Sequence, residues 1–219
     1  MNRKGIILAG GNGTRLKPVT NYINKHLLPV YDKPMIYYPI KTLLDMGIEE
    51  ILIICKEQDF LDFYKYLKNF NSSFAFQNEP KGIPEAYIIA ESFLNGSPSV
   101  LILGDNIFLD KIENTNENCI FVKEVHDPKR FGVLDTESMT IEEKPENPKS
   151  NLAVTGLYLL DETAPLKAKN LKPSKRGELE ITDLLNQYTD LKYSRISNWF
   201  DTGTFDSLLE AGNVIRGRQ

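Results

Sequence analysis

Lys4-Gly5-Ile6-Ile7-Leu8-Ala9-Gly10-Gly11-Asn12-Gly13-Thr14-Arg15-Leu16 decides the fold. Residues 5–9 form an apolar run as long as one buried strand. The run stops abruptly at Gly10, Gly11 and Gly13. These glycines leave the backbone N–H groups bare and tolerate the positive φ that turns several of them toward one anion. Arg15 follows, a fixed charge with a planar donor fork suited to phosphate. Strand, bare turn and arginine together read as a phosphate cradle, and the competing reading is a plain strand-to-loop turn. Two familiar phosphate loops are absent. Arg15 and Leu16 stand where a P-loop needs Lys and Ser/Thr, and Leu16 breaks a dinucleotide fingerprint begun at Gly11.

Outward from this stretch, strand and helix patterns alternate. Helical spacing appears at Ile36, Ile40, Leu43 and Leu44, with Gly47 placed to cap it. It returns at Phe60, Phe63, Tyr64 and Leu67, and at Ile83, Ala86, Tyr87, Ala90 and Phe93. Residues 50–55, 74–77 and 100–103 read as the intervening strands. The alternation predicts a Rossmann-like α/β fold with a mixed, mainly parallel sheet flanked by helices. Ligands of such sheets sit beyond the carboxyl ends of the strands. The loop at 10–15, Gln77 and the turn at 104–106 are therefore predicted to meet in one crevice. Residues 119–125, 131–134, 140–143 and 152–160 read as further strands with few helices between them, a smaller antiparallel extension. Ile181, Leu184, Leu185 and Tyr188, then Phe205, Leu208 and Leu209, restore helical period, and residues 114–118 read as an exposed turn.

The chain has 219 residues, the size of one domain with a real core. Lys and Arg number 26 against 30 Asp and Glu, a net charge of −4, which argues against a nucleic-acid partner held by bulk charge. Two distant cysteines, Cys55 and Cys119, suit a reducing compartment, and with His26 and His126 they show no zinc-ligand spacing. The chain enters its first strand within four residues, which leaves no room for a signal peptide. No apolar stretch is long enough to span a bilayer. The expected location is cytoplasmic, with no membrane partner.

Asp105, in Leu103-Gly104-Asp105-Asn106, places a carboxylate at the mouth of an apolar strand. It reads as a Mg²⁺ ligand or as a turn residue. Asp201, in Trp199-Phe200-Asp201-Thr202-Gly203-Thr204, repeats the pattern, with helix capping as the bland alternative. One carboxylate from each half would close a metal site between them. Lys25 and Lys144 are compact cations suited to phosphate oxygens, or solvated surface charges. His26 reads as a packing or hydrogen-bonding group.

These residues in this order resemble the sugar-1-phosphate nucleotidyltransferases over nearly the whole chain. The resemblance rests on residues 8–16, Asn24-Lys25-His26-Leu27-Leu28-Pro29-Val30, residues 32–39 and 103–108, and Asp127-Pro128-Lys129-Arg130-Phe131-Gly132-Val133. Glu142-Glu143-Lys144-Pro145, residues 153–158 and 201–204, and Arg176-Gly177-Glu178-Leu179-Glu180-Ile181-Thr182-Asp183 complete it. Residues 153–158 and 176–183 point to the thymidylyltransferase branch.

The resemblance implies a nucleotide-binding half, 1–110, and a sugar-phosphate-binding half, 111–219, within one domain. It implies that Leu8, Gly10, Gly11, Gly13 and Thr14 approach the nucleotide and that Arg15 holds its triphosphate. Lys25 would lie on the reacting phosphates, and Gln77 and Gly82 on the base, with the Gln77 amide able to donate and accept. Asp105 and Asp201 would hold Mg²⁺. Lys144 would bind the sugar phosphate, and Gly132, Glu143, Val154, Thr155 and Tyr158 would line the sugar pocket. The implied substrates are dTTP and glucose 1-phosphate, with Arg15, Lys25 and Lys144 carrying the catalysis. A phosphate oxygen is already a nucleophile at neutral pH, so the lack of a Ser/His/Asp or Cys/His constellation is consistent with direct displacement. A uridylyltransferase is the neighbouring alternative, and a silent nucleotide-sugar sensor the alternative of another class. The resemblance leaves room for a homo-oligomer. Against longer members, this sequence is expected to be without the C-terminal helical region of their regulatory nucleotide site, and its segment between Phe108 and Cys119 is short.

Overall fold

The computed structural model describes residues 2–68 and 70–218. The first half runs β1 (Lys4–Leu8), β2 (Pro29–Val30), β3 (Lys33–Pro34), α1 (Tyr37–Asp45), β4 (Ile51–Cys55), α2 (Phe60–Leu67), β5 (Ser72–Phe76), α3 (Glu85–Leu94) and β6 (Ser99–Leu103). The second runs β7 (Asn106–Phe108), β8 (Cys119–Glu124), β9 (Gly132–Asp135), β10 (Thr140–Glu143), β11 (Leu152–Leu160), α4 (Ala164–Lys169), α5 (Ile181–Leu185), β12 (Lys192–Arg195), β13 (Trp199–Asp201) and α6 (Phe205–Arg216).

One sheet spans both halves in the order β10-β9-β11-β6-β1-β4-β5, with β8 joined to β11 and β12 to β8. The strands β6, β1, β4 and β5 are parallel. β11 runs antiparallel to β6, β8 and β9. β1 sits at the centre because both its faces are covered. Ile6 faces one core with α3, α4 and α5, and Ile7 faces the other with α1 and α2. All five residues of β4 are buried, the continuous apolar run expected of a parallel strand between two helical layers. β11 buries all nine of its residues, and its pairing with β8 shifts between Val154 and Tyr158. That irregularity bends the strand where it meets the cleft, as bulges do.

Three expectations change in detail. Leu44, Tyr64, Phe205 and Leu209 fall on helical spacing, yet each is exposed. α2 and α6 bury only a narrow stripe, Phe63 and Leu67 in the one and Ala211 and Ile215 in the other, while α1 buries Tyr38, Pro39, Ile40, Thr42 and Leu43. The segment 114–118 is not wholly an exposed turn. Asn118 is buried, and the buried Arg3 guanidinium donates to the carbonyls of Thr115, Ser99, Leu160 and Glu117. The turn at 104–106 runs directly into β7, which pairs antiparallel with β13. This short ribbon carries no apolar alternation of its own. It forms because Asn106 and Asp201 end up opposite each other.

Candidate active site

The crevice beyond the carboxyl ends of β1, β4, β5 and β6 gathers the first-half residues. Gly104 N donates to Leu8 O at 2.9 Å, joining the ends of β6 and β1. A β-carbon at Gly10 would lie 3.0 Å from Gln77 Oε1, and one at Gly11 would lie 3.2 Å from Lys25 Nζ. Gly13 has φ 61° and opens the short 3₁₀ turn Thr14–Leu16 that carries Arg15. Its carbonyl accepts from Thr20 Oγ1 at 2.8 Å, which ties the glycine loop down. Lys25 forms an ion pair with Asp105.

Below this pair lies His26, 1 % exposed. Burial, with help from the Lys25 charge, pushes its imidazole down to about 3, so it is neutral at physiological pH. Its Nδ1 lies 2.9 Å from Asn24 Oδ1, which can only accept, so the proton sits on Nδ1. His26 is a structural support, as its sequence context suggested.

A cavity of about 310 Å³ adjoins the crevice. Its walls bring together Arg15, Asp105 and Asp201 with Gly132, Glu143, Lys144, Val154, Thr155 and Tyr158. Of the expected site residues, Leu8, Gly10, Gly11, Gly13, Thr14, Lys25, Gln77 and Gly82 lie outside its lining. Thr155 donates its hydroxyl to Phe121 O at 2.9 Å, so its side chain is spent inside the protein. Lys144 has φ 46°, an uncommon region for a residue with a β-carbon, and its N–H donates to Phe131 O at 3.0 Å. Glu143 is shared by Lys144 at 3.4 Å and Arg176 at 3.3 Å. A larger cavity of about 640 Å³ lies between α1, residues 108–112 and the end of α6, and shares no residue with this one. The smaller cavity is the candidate site, because it adjoins the glycine loop through Arg15 and is lined by both Asp105 and Asp201.

The two carboxylates behave as a like-charged pair. Burial and the charge of Asp105 push the Asp201 carboxyl up, against the pull of Arg15 and Lys25. Burial, the largest single influence, would also raise Asp105, but the Lys25 ammonium together with hydrogen bonds from Lys25 and Asn106 holds that carboxyl well below the usual range. Among the described residues no group of three or more His, Cys, Asp or Glu could hold a metal ion. A two-carboxylate pair fits Mg²⁺ nonetheless, because that ion takes one or two carboxylates and completes its shell with substrate phosphates and water.

Asn106 organises the floor of the cavity. Its Nδ2 donates to Asp105 Oδ1 at 3.0 Å. Its Oδ1 accepts from Trp199 Nε1 at 2.6 Å and from Gly156 N at 3.1 Å. Trp199, Arg130 and Thr182 also line the cavity. The sequence reading did not assign roles to Asn106, Trp199, Arg130, Thr182 or Arg176, although all five stand inside or beside the quoted motifs. The first and second halves of the chain are stitched together at Gly82. It has φ 104° and bridges Leu179, whose backbone would collide with any β-carbon there.

A mixed, mainly parallel α/β sheet with a bare glycine loop, and with two carboxylates and cations around one cavity, points to a phosphate-handling enzyme of nucleotide chemistry. The family model for nucleotidyl transferases matches residues 4–217, and the chain belongs to that family. Enzymes of this family generally use a divalent metal. Among curated proteins, the glucose-1-phosphate thymidylyltransferase of Xanthomonas campestris pv. campestris is 46% identical over 97% of this chain and 80% of its own length. That of Neisseria meningitidis is 44% identical over 97% and 82%. A Bacillus anthracis structure solved with sucrose, described as a glucose-1-phosphate thymidylyltransferase, superposes with a TM-score of 0.88 at 42% identity, covering 98% of this chain and 95% of that one. A UDP-glucose pyrophosphorylase in complex with UDP-glucose gives 0.86 at 25% identity, with full coverage of both chains. Among the described residues, no helix is long and apolar enough to cross a membrane.

Proposed function

We propose that this chain transfers a thymidylyl group from dTTP to glucose 1-phosphate, in the presence of Mg²⁺, to give dTDP-glucose and pyrophosphate. The observation that carries the reading is the single cavity uniting Arg15, Lys144 and both carboxylates. The relatives at 46% and 44% identity share this activity by name.

The glucose 1-phosphate oxygen attacks the α-phosphorus of dTTP, the bond from that phosphorus to the bridging oxygen breaks, and pyrophosphate leaves with the electron pair. No proton needs to be removed from the nucleophile. Lys144, held by its left-handed backbone at the Glu143 edge, receives the sugar phosphate. Arg15, against Gly203 and the Asp201 carboxylate, takes the departing charge on the opposite side. The sugar hydroxyls meet Glu143, Tyr158 and the backbone of Gly132 and Val154. Lys25, paired with Asp105 in the substrate-free protein, turns to the phosphates when they arrive. Bound between Asp105 and Asp201, Mg²⁺ would supply charge neutralisation on the phosphates. Each of these groups acts by alignment and charge, which is where catalysis of phosphate displacement resides.

Mixing the protein with dTTP, glucose 1-phosphate and Mg²⁺ should release pyrophosphate. No release from any nucleotide and sugar 1-phosphate pair refutes the proposal. Release with UTP in preference to dTTP replaces it with the uridylyl reading.

A further inference from the structure

The orientation of the Gln77 carboxamide is set by a residue outside every motif that carried the sequence reading. Gln77 follows β5 and is 6 % exposed. Its Nε2 donates to Glu85 Oε2 at 2.6 Å and to the Gly82 carbonyl at 3.4 Å. A carboxylate accepts and cannot donate, so the amide nitrogen must face Glu85; the reversed amide would set oxygen against oxygen. Both Nε2 hydrogens are thereby committed. The oxygen is left on the other side, toward the glycine loop, 3.0 Å from where a Gly10 β-carbon would stand. Glu85 is itself held at the first residue of α3. The Gln77 amide, expected from the sequence to donate and accept, has only its acceptor to offer.

We propose that Glu85 is a positioning residue for base selection: by clamping the Gln77 amide it presents the incoming base with an acceptor alone. This rests on the proposed placement of the base beside Gln77. Thymine and uracil carry an N–H at ring position 3 and donate to Gln77 Oε1. Cytosine carries a lone pair there and meets the oxygen unfavourably, in a buried setting where an unpaired polar group is costly. The contact is blind to the 5-methyl group, so it selects imide bases as a class and leaves thymine against uracil to other contacts.

The test is kcat/KM for dTTP, UTP and dCTP, each with glucose 1-phosphate and Mg²⁺, in the wild type, Glu85→Gln, Glu85→Ala and Gln77→Ala. Glu85→Gln keeps the shape but gives Gln77 a partner that donates as well as accepts, so the amide can turn over. The preference for dTTP over dCTP should fall by about tenfold or more, while the dTTP-to-UTP ratio stays within about twofold of wild type. Glu85→Ala should show the same loss, and serves if Glu85→Gln folds poorly. A purely structural role would lower all three kcat/KM values together and overturn the proposal. An unchanged dTTP-to-dCTP ratio in both Glu85 variants, with the ratio collapsed in Gln77→Ala, overturns the role of Glu85 and leaves the base placement standing. A wild-type ratio preserved in Gln77→Ala overturns the placement itself. A wild-type enzyme that uses dCTP as well as dTTP overturns both.

Discussion

Replacing Asn106 by alanine should cost stability and turnover together. Asn106 is 3 % exposed and spends its side chain on three partners. Asn106→Ala strands the indole N–H of Trp199 and the backbone N–H of Gly156, both buried, without an acceptor. Each stranded buried donor costs about 1–3 kcal/mol, so the two together cost about 2–6 kcal/mol, and the space left by the amide adds to that. That is a large part of a domain's usual stability of about 5–15 kcal/mol. With a urea slope of about 3 kcal/mol/M, the unfolding midpoint should fall by about 0.7–2 M. Urea unfolding followed by far-UV circular dichroism measures it, and Trp199, the only tryptophan in the chain, reports the same transition by fluorescence. Asn106→Asp keeps an acceptor for both donors and should recover much of the lost stability. It loses the donor to Asp105 and sets a second carboxylate against it, so its turnover should stay low. An alanine variant whose midpoint lies within about 0.3 M of wild type would refute the reasoning, because the two N–H groups would then have found other partners.

Two further outcomes follow from the buried titratable groups. Asp201→Asn should abolish pyrophosphate release yet raise the melting temperature of the substrate-free protein at neutral pH. The Asp201 carboxyl is raised in the folded state, so folding favours its protonated form; that contribution is present at low pH and is lost as pH rises through the raised value. The advantage of the variant should therefore shrink on acidification, and scanning calorimetry across pH checks it. His26 works in the opposite sense. It stays neutral down to about 3 in the folded protein, while the unfolded chain takes up a proton below the ordinary value of 6.5. Its contribution is full above that value and is lost as pH falls toward about 3, with a slope of up to about 1.4 kcal/mol per pH unit. Urea midpoints taken between about pH 7 and pH 4 should show the slope in the wild type, and His26→Gln should flatten it.

Much of the placement of the candidate site's motifs was readable in the chain because its parts are local. The glycine loop follows directly on a five-residue strand, Asp105 follows β6, and Lys144 follows β10, so each motif carries its own position at a strand end. Residues whose role depends on a distant partner were not readable. Asn106 is important because Trp199 and Gly156 come to it from 93 and 50 residues away. Glu85 is an ordinary first-turn acid until Gln77 is laid beside it. Thr155 looks like a pocket hydroxyl in sequence, but Phe121 takes the bond. The exposed Leu44 and Leu209 show the converse limit: helical period marks which residues can share a face, and the neighbouring elements decide how wide a face is buried.

The sequence by itself determined the class of fold, the bare glycine loop at residues 10–15 and the charged residue types that the candidate site draws on. Those follow from short-range periodicity, from glycine at a strand end and from charge, all of which act within a few residues. The tertiary structure decided how the parts combine. It placed Asp201 against Asp105 through the β7–β13 pair, raised one carboxyl and lowered the other, and bridged Gly82 to Leu179 across the two halves. Electrostatic coupling and the direction of a buried amide depend on distances of a few ångströms between groups far apart in the chain, and only the folded backbone sets those distances.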